Sequence, residues 1–496
     1  MSIILTKTDF KEYLICPKWL WVKKNKPELA VEGEMSLFLQ KLINDGYEVE
    51  DFAQQLFPDG VEVSGNSSEL LHTTQELLGK NQTMFQATFE TEEGLFAKID
   101  VLAFDPEIQG WNLYEVKASS SIKTDLQHNH IKDVTFQTIV AEKAGVSINA
   151  SYIIHINKEY RRDGEIDPEK LFVIEDVTKQ VQECKDVVVK EIEEALTCLA
   201  TEDISLEGCD CLYRSHGQRC DAFSVFNPNI PEYSVHHIVG GKKLLSLIEA
   251  DIFDVTEIPG DFDLTDIQRD KVTLQKTQTP IIDKDAIDET LSNLSFPLYF
   301  LDYETFGKPY PVLDGYTTNQ QIVFQYSLHI LEEDGTLTHH EYLANDFETA
   351  TSGLLEHMQT YIGPVGSVIV WNEGFEKGRN VELAEIHPEY ADFLQHINNR
   401  VYDLMLVFKK DYLHPNFYGS ASIKKVLPVM LPDLSYKNLE VQDGTMAMSE
   451  WEKIATGKIT GEQAEELRKH LLKYCELDTL AMVELYRKLK ELIDSK

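Results

Sequence analysis

The residues best suited to chemistry lie toward the C-terminus: Asp302 and Glu304 in FPLYFLDYETFG, Phe375-Glu376 in VIVWNEGFEKG, and Tyr474 with Asp478 in HLLKYCELDTLAM. Asp302 and Glu304 follow an apolar run with strand character, and side chains two apart on a strand point to one face. One metal ion could see both. Tyr474 and Asp478, four apart in a long helical pattern, also share a face. Each motif alone is weak, because Asp-x-Glu arises readily in an acidic chain and Tyr474 with Asp478 also makes a polar stripe on a solvated helix. Three acidic pieces in this order, on elements able to project them across ordinary domain size, point to a metal site. Glu373 is a substitute for Glu376 that its place before Gly374 disfavours, and Asp403 in VYDLM either assists or ends a strand.

Two further constellations lie upstream. Asp100 sits in FAKIDVLAF, and Glu115 and Lys117 share a strand face in LYEVKAS. Two carboxylates can hold a divalent ion that polarises a phosphodiester and lowers the pKa of bound water, and a lysine can orient that water. Glu-x-Lys alone is weak evidence, but Glu90 on an earlier strand and Gln137 on the following helix support it. Cys16, beside Pro17, and Cys209, Cys211 and Cys220, in GCDCLYRSHGQRC, form a second group. Four thiolates suit zinc or an iron-sulfur cluster, and spacing does not decide between them. Cys184, Cys198 and Cys475 fall in helical patterns and read as core thiols. His236 and His237 read as a strand-like exit, one packed and one exposed.

The elements that must position these groups are those of a multidomain α/β protein. Its 496 residues, 43% hydrophobic, suffice for roughly two to four domains. Residues 1–226 open with a helix FKEYLICPKWLWVKK capped by Thr8 or Asp9, then a helix through MSLFLQKLINDGYEVEDFAQQLF. Strands FQATFE, FAKIDVLAF and WNLYEVKAS follow, then helix HIKDVTFQTIVAEKAG, strand ASYIIHIN and a long charged helix. Residues 227–295 read as a connector with one helical stretch, KKLLSLIEADIF. Residues 296–494 alternate strands LYFLDYE, IVFQYSLHI and SVIVWN with helices, the last running from Gly461.

No signal-peptide pattern opens the chain and no run of roughly 18 apolar residues interrupts it, so no membrane association and a cytoplasmic location are expected. Seven cysteines in so long a chain are no secreted disulfide framework. The 46 Lys plus Arg against 84 Asp plus Glu leave a formal net charge of -38, which repels nucleic acid and predicts weak unaided affinity for it.

Residues 1–226 resemble the PD-(D/E)XK nuclease superfamily, specifically its Cas4-like branch, on LICPKWLW, the ID at 99–100, the EVK at 115–117 and the FQ at 136–137. The resemblance implies a restriction-endonuclease-like fold, metal ligands at Asp100 and Glu115, a catalytic Lys117 and a supporting Gln137. Where the family often carries a ligand histidine after Gly-x-x-Val, this chain has Gly46, Val49 and Glu50, and Glu50 can still bind a hard cation. A tyrosine that commonly follows the glutamine by four is Ala141 here. One cysteine before the core and three after it imply a [4Fe-4S] cluster on Cys16, Cys209, Cys211 and Cys220, with Zn2+ the alternative.

Residues 296–494 resemble DEDD exonucleases of the RNase H-like fold, fused behind a Cas4-like module as in DUF2779-like proteins. Asp302 and Glu304 match the first motif, Asn372-x-x-Phe375-Glu376 the second, with Glu where Asp is usual, and Tyr474-x-x-x-Asp478 the third. GSASIKKVLP, at 419–428, occupies the place of a helix that contacts the degraded strand. The resemblance implies two-metal hydrolysis with Mg2+ or Mn2+: Asp302, Glu304 and Asp478 hold the ions, Glu376 completes the ligand set and Tyr474 orients water. It implies a nucleic-acid substrate, DNA rather than RNA, and protein partners in repair or defence. The competing reading is a singly active or non-catalytic nucleic-acid-binding scaffold, favoured by the acidic charge and the substituted ligands.

Overall fold

The computed structural model describes residues 4–30 and 36–495. It is a mixed α/β protein with several sheets and many helices. Two compact units emerge: the described residues up to Phe253 together with Pro309–Thr318, and Asp254–Lys308 together with Asn319 onward. Residues 227–295 are shared between the two. They hold helices Gly241–Glu249, Asp266–Thr277 and Lys284–Ser292 in place of a single helical stretch. In Asp266–Thr277 a Thr265–Gln268 capping box starts the helix despite its polar composition. His236 and His237 lie in a helical turn, Val235–His237, and not in a strand.

The first unit is built on seven strands: β1 (Leu5–Thr6), β2 (Val61–Glu62), β3 (Met84–Glu90), β4 (Leu95–Asp105), β5 (Gly110–Lys117), β6 (Ile148–Ile156) and β7 (Phe172–Asp176). Their order is β2-β3-β4-β5-β6-β7, with β1 beside β4. β3, β4 and β5 form an antiparallel meander, whereas β5 and β6 are parallel and therefore need a crossover, supplied by helix His130–Lys143. Side-chain alternation sorts the sheet: Leu113 and Ile153 join the core under that helix, while Ile154 and Ile156 pack on the opposite side against Val49 and Ala53 of helix Leu37–Gln54. Met35, at the head of that helical pattern, lies outside the described residues.

The opening helix starts one turn earlier than its sequence suggests. Thr6 caps it, accepting from the Asp9 amide at 3.1 Å while the Asp9 carboxylate accepts from the Thr6 amide at 2.9 Å. The expected single helix is also two, Lys7–Ile15 and Pro17–Asn25. Proline restricts the residue before it to extended backbone, so Cys16 leaves the helical path at φ -156° and Pro17 begins the second helix.

The second unit carries β8 (Ile281–Ile282), β9 (Leu298–Phe306), β10 (Ile322–Leu331), β11 (Leu337–Leu343), β12 (Ser367–Val370), β13 (Val401–Asp403) and β14 (Tyr412–Leu413). Five of these form a sheet in the order β11-β10-β9-β12-β13, antiparallel over its first three strands and parallel over the last two pairings. Tyr299, Leu301 and Tyr303 of β9 face a core that includes Leu354, Leu355 and Met358 of helix Ala350–Tyr361. Their neighbours face the other way, toward the 33-residue helix Glu462–Asp494, where Phe300 meets Tyr486 at 5.9 Å between ring centroids. Asp302 and Glu304 belong to this second set. Among the described residues, no helix is long and apolar enough to cross a membrane.

Candidate functional site

In the second unit the alternation of β9 aims Asp302 and Glu304 at the C-terminal helix. Oxygen atoms of both lie within 4.8 Å of each other and of the Cys475 thiol. Cys475 Sγ is 3.7 Å from Asp302 Oδ2. Asp478, one turn further along the helix, is buried and accepts a 2.5 Å hydrogen bond from the Tyr436 hydroxyl. It lies outside the tight trio, yet after burial itself it is the largest influence holding the Asp302 and Glu304 carboxyls well above the usual carboxylate range. Burial pushes Asp478 up to about 6, against the Tyr436 hydrogen bond and the Lys424 ammonium.

Glu376 enters from the first turn of helix Glu373–Ile386. It is 2% exposed, its Oε2 has no hydrogen-bond partner, and burial pushes its carboxyl up to about 8. Its charge also raises Asp302. The turn that delivers it is set by Asp403, whose Oδ1 accepts from the amides of Asn372 and Met405, both at 3.0 Å, so Asp403 positions backbone. Glu373 is tied up with Lys377 at 2.5 Å. Tyr474 is buried and its phenol is held well above the usual range, by burial first and then by the Asp478, Glu304 and Asp302 carboxylates. Lys424, from helix Ile423–Met430, stands 5.8 Å from the Tyr436 ring and 5.9 Å from the Tyr474 ring. Tyr436 and Cys475 are the site residues that sequence reasoning missed, whereas Lys424 lies in the 419–428 segment that the resemblance singled out as a strand-contacting helix. Of the two missed, only Cys475, three before Asp478 on one helical face, carried a signal.

The first unit assembles a different kind of site. β4 and β5 pair as far as Val101 opposite Tyr114. There the Asp100 carboxylate replaces a backbone acceptor, taking the Val116 amide at 2.8 Å. Glu115 Oε1 accepts from Lys117 Nζ at 2.6 Å and from Lys7 Nζ at 2.8 Å, and Oε2 accepts from Gln137 Nε2 at 2.6 Å. Lys117 also reaches Asp133 Oδ2 at 2.7 Å. Burial pushes the Glu115 carboxyl up, but Lys117 and Lys7 outweigh it and hold it well below the usual range. Burial and the nearby Glu115 charge instead hold Asp100 well above it. Glu50 is raised by burial and accepts from Gln86 Nε2, on a residue at φ 56° opposite Asp100's stretch of β4. Asp100, Glu115 and Glu50 are not among the three metal-competent groups that converge within 4.8 Å among the described residues. Glu90 is exposed at the end of β3, away from burial. Asp133, four before Gln137 on one helix face, was legible by spacing; Lys7, 108 residues from Glu115, was not.

The cysteines converge as their order suggests. Cys16, Cys209, Cys211 and Cys220 are buried with all four sulfurs within 4.8 Å of one another. The break at Pro17 delivers the first, and short helical turns at Asp210–Tyr213 and His216–Gln218 space the others. Trp19, Trp21, Val22, Phe223 and Phe226 wrap the group. Hydrogen bonds from the Cys16 and then the Cys220 thiol push Cys211 down to about 7 against the opposing influence of Cys209, and Arg214 and Asn227 approach the Cys211 and Cys209 sulfurs at 3.6 and 3.7 Å. This four-thiol group can bind a metal.

Comparison with known proteins reaches the second unit. Residues 299–422 match a family described as "Domain of unknown function (DUF2779)". That span includes Asp302, Glu304 and Glu376 and ends before Tyr474. The chain is 28% identical over 219 residues to an uncharacterised protein of Mycoplasma pneumoniae, covering 40% of this chain and 32% of the relative. It is 32% identical over 145 residues to an uncharacterised protein of Ureaplasma parvum, covering 26% and 21%. An uncharacterised protein of Mycoplasma genitalium matches at 24% over 227 residues, covering 41% and 33%. The matched stretches thus span about a third or less of each relative's length.

Proposed function

We propose that the second unit is a metal-dependent 3′-to-5′ exonuclease of the DEDD type on an RNase H-like fold, acting on DNA in preference to RNA. The observation that carries this reading is a group of four carboxyls, the buried Glu304, Glu376 and Asp478 and the half-buried Asp302, all raised above their ordinary range. Such a group is short of positive charge, and the unpartnered Glu376 Oε2 is an oxygen awaiting one. Hard divalent cations fit this donor set. Asp302, Glu304 and Asp478 would hold Mg2+ or Mn2+, with Glu376 completing the set. When bound, the ions supply Lewis-acid polarisation of the phosphate and a hydroxide nucleophile.

The chain's own residues do the rest. Tyr436 fixes the Asp478 carboxylate by its hydrogen bond. Tyr474 stays a phenol at working pH and can donate to an attacking water. Lys424, beside both rings, offsets phosphate charge in a chain whose net charge otherwise repels the substrate.

For the first unit, the Cas4-like PD-(D/E)XK reading is supported by Glu115 meeting Lys117 and Gln137, with Asp100 on the neighbouring interior strand. A second reading, one active module and one that binds, is favoured by a specific observation: Lys7 and Lys117 already occupy Glu115 Oε1. For the thiols, a [4Fe-4S] cluster follows from the resemblance, whereas sulfurs within 4.8 Å fit one tetrahedral Zn2+ more directly. A zinc-thiolate tetrahedron has edges of about 3.8 Å, given Zn–S near 2.3 Å, and a four-iron cube spreads its ligands wider.

The test uses end-labelled single-stranded DNA, duplex DNA and RNA with Mg2+ or Mn2+, comparing wild type, Asp302→Ala and Lys117→Ala. Shortening by wild type that Asp302→Ala loses is the expected result. If no substrate is shortened by wild type, the exonuclease reading fails.

A further inference from the structure

We infer that a cleft in the second unit binds one nucleotide of a single-stranded nucleic acid, its base against an apolar floor and its phosphates against lysines at the rim. The inference deepens the exonuclease reading and rests on it for the path of the strand. The cleft measures about 510 Å³, a size usual for sites that enclose a small ligand or one unit of a larger one.

Two segments build it. Helix Asp266–Thr277 supplies Ile267, Lys271 and Leu274, and residues 408–421 supply the opposite wall. Gln275 Nε2 ties them by donating to the Pro415 carbonyl at 2.7 Å. The helix lies outside the residues 299–422 that match the family, so this wall is an addition to the matched domain. Phe408 and Phe417, both buried, meet at 6.2 Å between ring centroids and form the floor. Ile267 is 71% exposed, an apolar side chain left open to the cleft.

The charge around this floor runs against that of the chain. With a net charge of -38 overall, the cleft is lined by Lys271, Lys409 and Lys410 against one carboxylate, Asp270. Among the described residues, none of these three lysines is engaged in an ion pair or hydrogen bond. An acidic chain that leaves three cations unpaired around an apolar floor is complementary to a ligand with an apolar part and an anionic part. His414 adds a donor: its Nδ1 accepts from the Asn416 amide at 3.1 Å, so the neutral ring carries its proton on Nε2. A nucleotide has both parts, and single strands are held by such pairing of aromatic surface with a cationic groove.

The cleft adjoins the carboxylate site. The Ala421 carbonyl, in the cleft wall, accepts from Trp371 Nε1 at 3.1 Å, and the Trp371 ring stacks on Phe408 at 5.4 Å. Trp371 directly precedes the turn that delivers Glu376, and Lys424 follows Ala421 by one helical turn. A strand whose 3′ end lies at the carboxylates and whose phosphates pass Lys424 therefore continues into the cleft.

Fluorescence anisotropy of a labelled oligothymidylate of about 12 residues tests the cleft. The protein is full-length Asp302→Asn in Mg2+, so that binding is read without turnover. Adding Lys409→Gln with Lys410→Gln should weaken binding by about tenfold and flatten the slope of log K against log[salt] by about 1.4, the loss of two phosphate contacts. Ile267→Gln, a neutral change at an exposed position, should weaken binding by about fivefold with the slope and the circular dichroism unchanged. Lys458→Gln with Lys488→Gln, the same charge change at exposed lysines outside the cleft, should bind as the parent does. No binding by the parent at low salt, full binding by Ile267→Gln, or equal losses in the two lysine pairs overturns the inference. So does binding of thymidine monophosphate that depends on Ile267 when binding of the oligomer does not, since the cleft would then serve a free nucleotide. Failure of the exonuclease reading is read separately. A wild type that shortens no strand while these losses are present removes the catalysis and leaves the cleft; shortening with unchanged binding removes the cleft alone.

Discussion

The chain holds two buried acidic sites that differ in how their charge is balanced. In the first unit Glu115 and Asp133 are matched by Lys7, Lys117 and the Gln137 amide, and Glu115 is driven below its ordinary range. In the second unit Asp302 and Glu304 lie together with Asp478 and Glu376 acting on them, and all four are driven above theirs. Among the described residues, the cations acting on them are Lys424, on Glu304 and Asp478, and Arg379, on Glu376. Burial is similar at both sites; the number of internal cations differs. An acidic group already neutralised by the fold gains little from a metal ion, whereas one left in deficit is stabilised by it.

The sharpest break in this comparison is a pair of substitutions with opposite sign. Lys117→Met leaves Glu115 and Asp133 underpaired in the interior and should destabilise the protein by about 3–5 kcal/mol in urea unfolding. Asp302→Asn removes a repelling charge and should stabilise metal-free protein by about 1 kcal/mol or more. If both destabilise in the absence of metal, the charge deficit in the second unit is wrong. Mn2+ at a hundredfold excess over its Kd should add about 2.7 kcal/mol to wild type and much less to Asp302→Asn, read as a shift in melting temperature.

The pH dependence separates the sites next. Carboxyls raised in the folded state keep protons that the unfolded chain releases. Their contribution to stability is therefore complete below the unfolded value near 4, and is lost as pH rises through about 6 for Asp478 and about 8 for Glu376. Metal-free protein should thus melt lower at pH 8 than at pH 5, and Mn2+ affinity should climb over the same interval as those protons leave. The depressed Glu115 has the reverse sign: its contribution is present above the unfolded value and fades only in acid below it. A flat Mn2+ affinity from pH 6 to 8 would remove Asp478 and Glu376 from the ligand set.

The local geometry of both sites was legible where one element carried two groups. Asp302 with Glu304, Glu115 with Lys117, and Tyr474 with Asp478 follow from strand and helix periods. Cys16 was legible as a ligand candidate, but its placement depended on Pro17 splitting one expected helix into two. Partners joined only by tertiary contact were hidden: Lys7 on Glu115, Tyr436 on Asp478, and Lys424 beside Tyr474. The helix Asp266–Thr277 within the expected connector was not legible, because capping and the buried Val272 and Leu274 make a helix that its polar composition disfavours.

Tyr436→Phe is the smallest change that probes the comparison, because it removes one hydroxyl and keeps the ring beside Lys424 and Tyr474. The lost 2.5 Å hydrogen bond is one of two influences that restrain the Asp478 carboxyl, the other being Lys424. Without it that carboxyl should rise by about one pKa unit, or about 1.4 kcal/mol. Metal binding should weaken by roughly tenfold at pH 5 and by only about twofold at pH 7, and should recover at pH 8.5, where Asp478 is ionised in either protein. Recovery at high pH assigns Tyr436 an electrostatic role. A deficit of the same size at every pH would mean that the hydroxyl merely holds the carboxylate in place, and that the second site's charge deficit is not what sets its affinity.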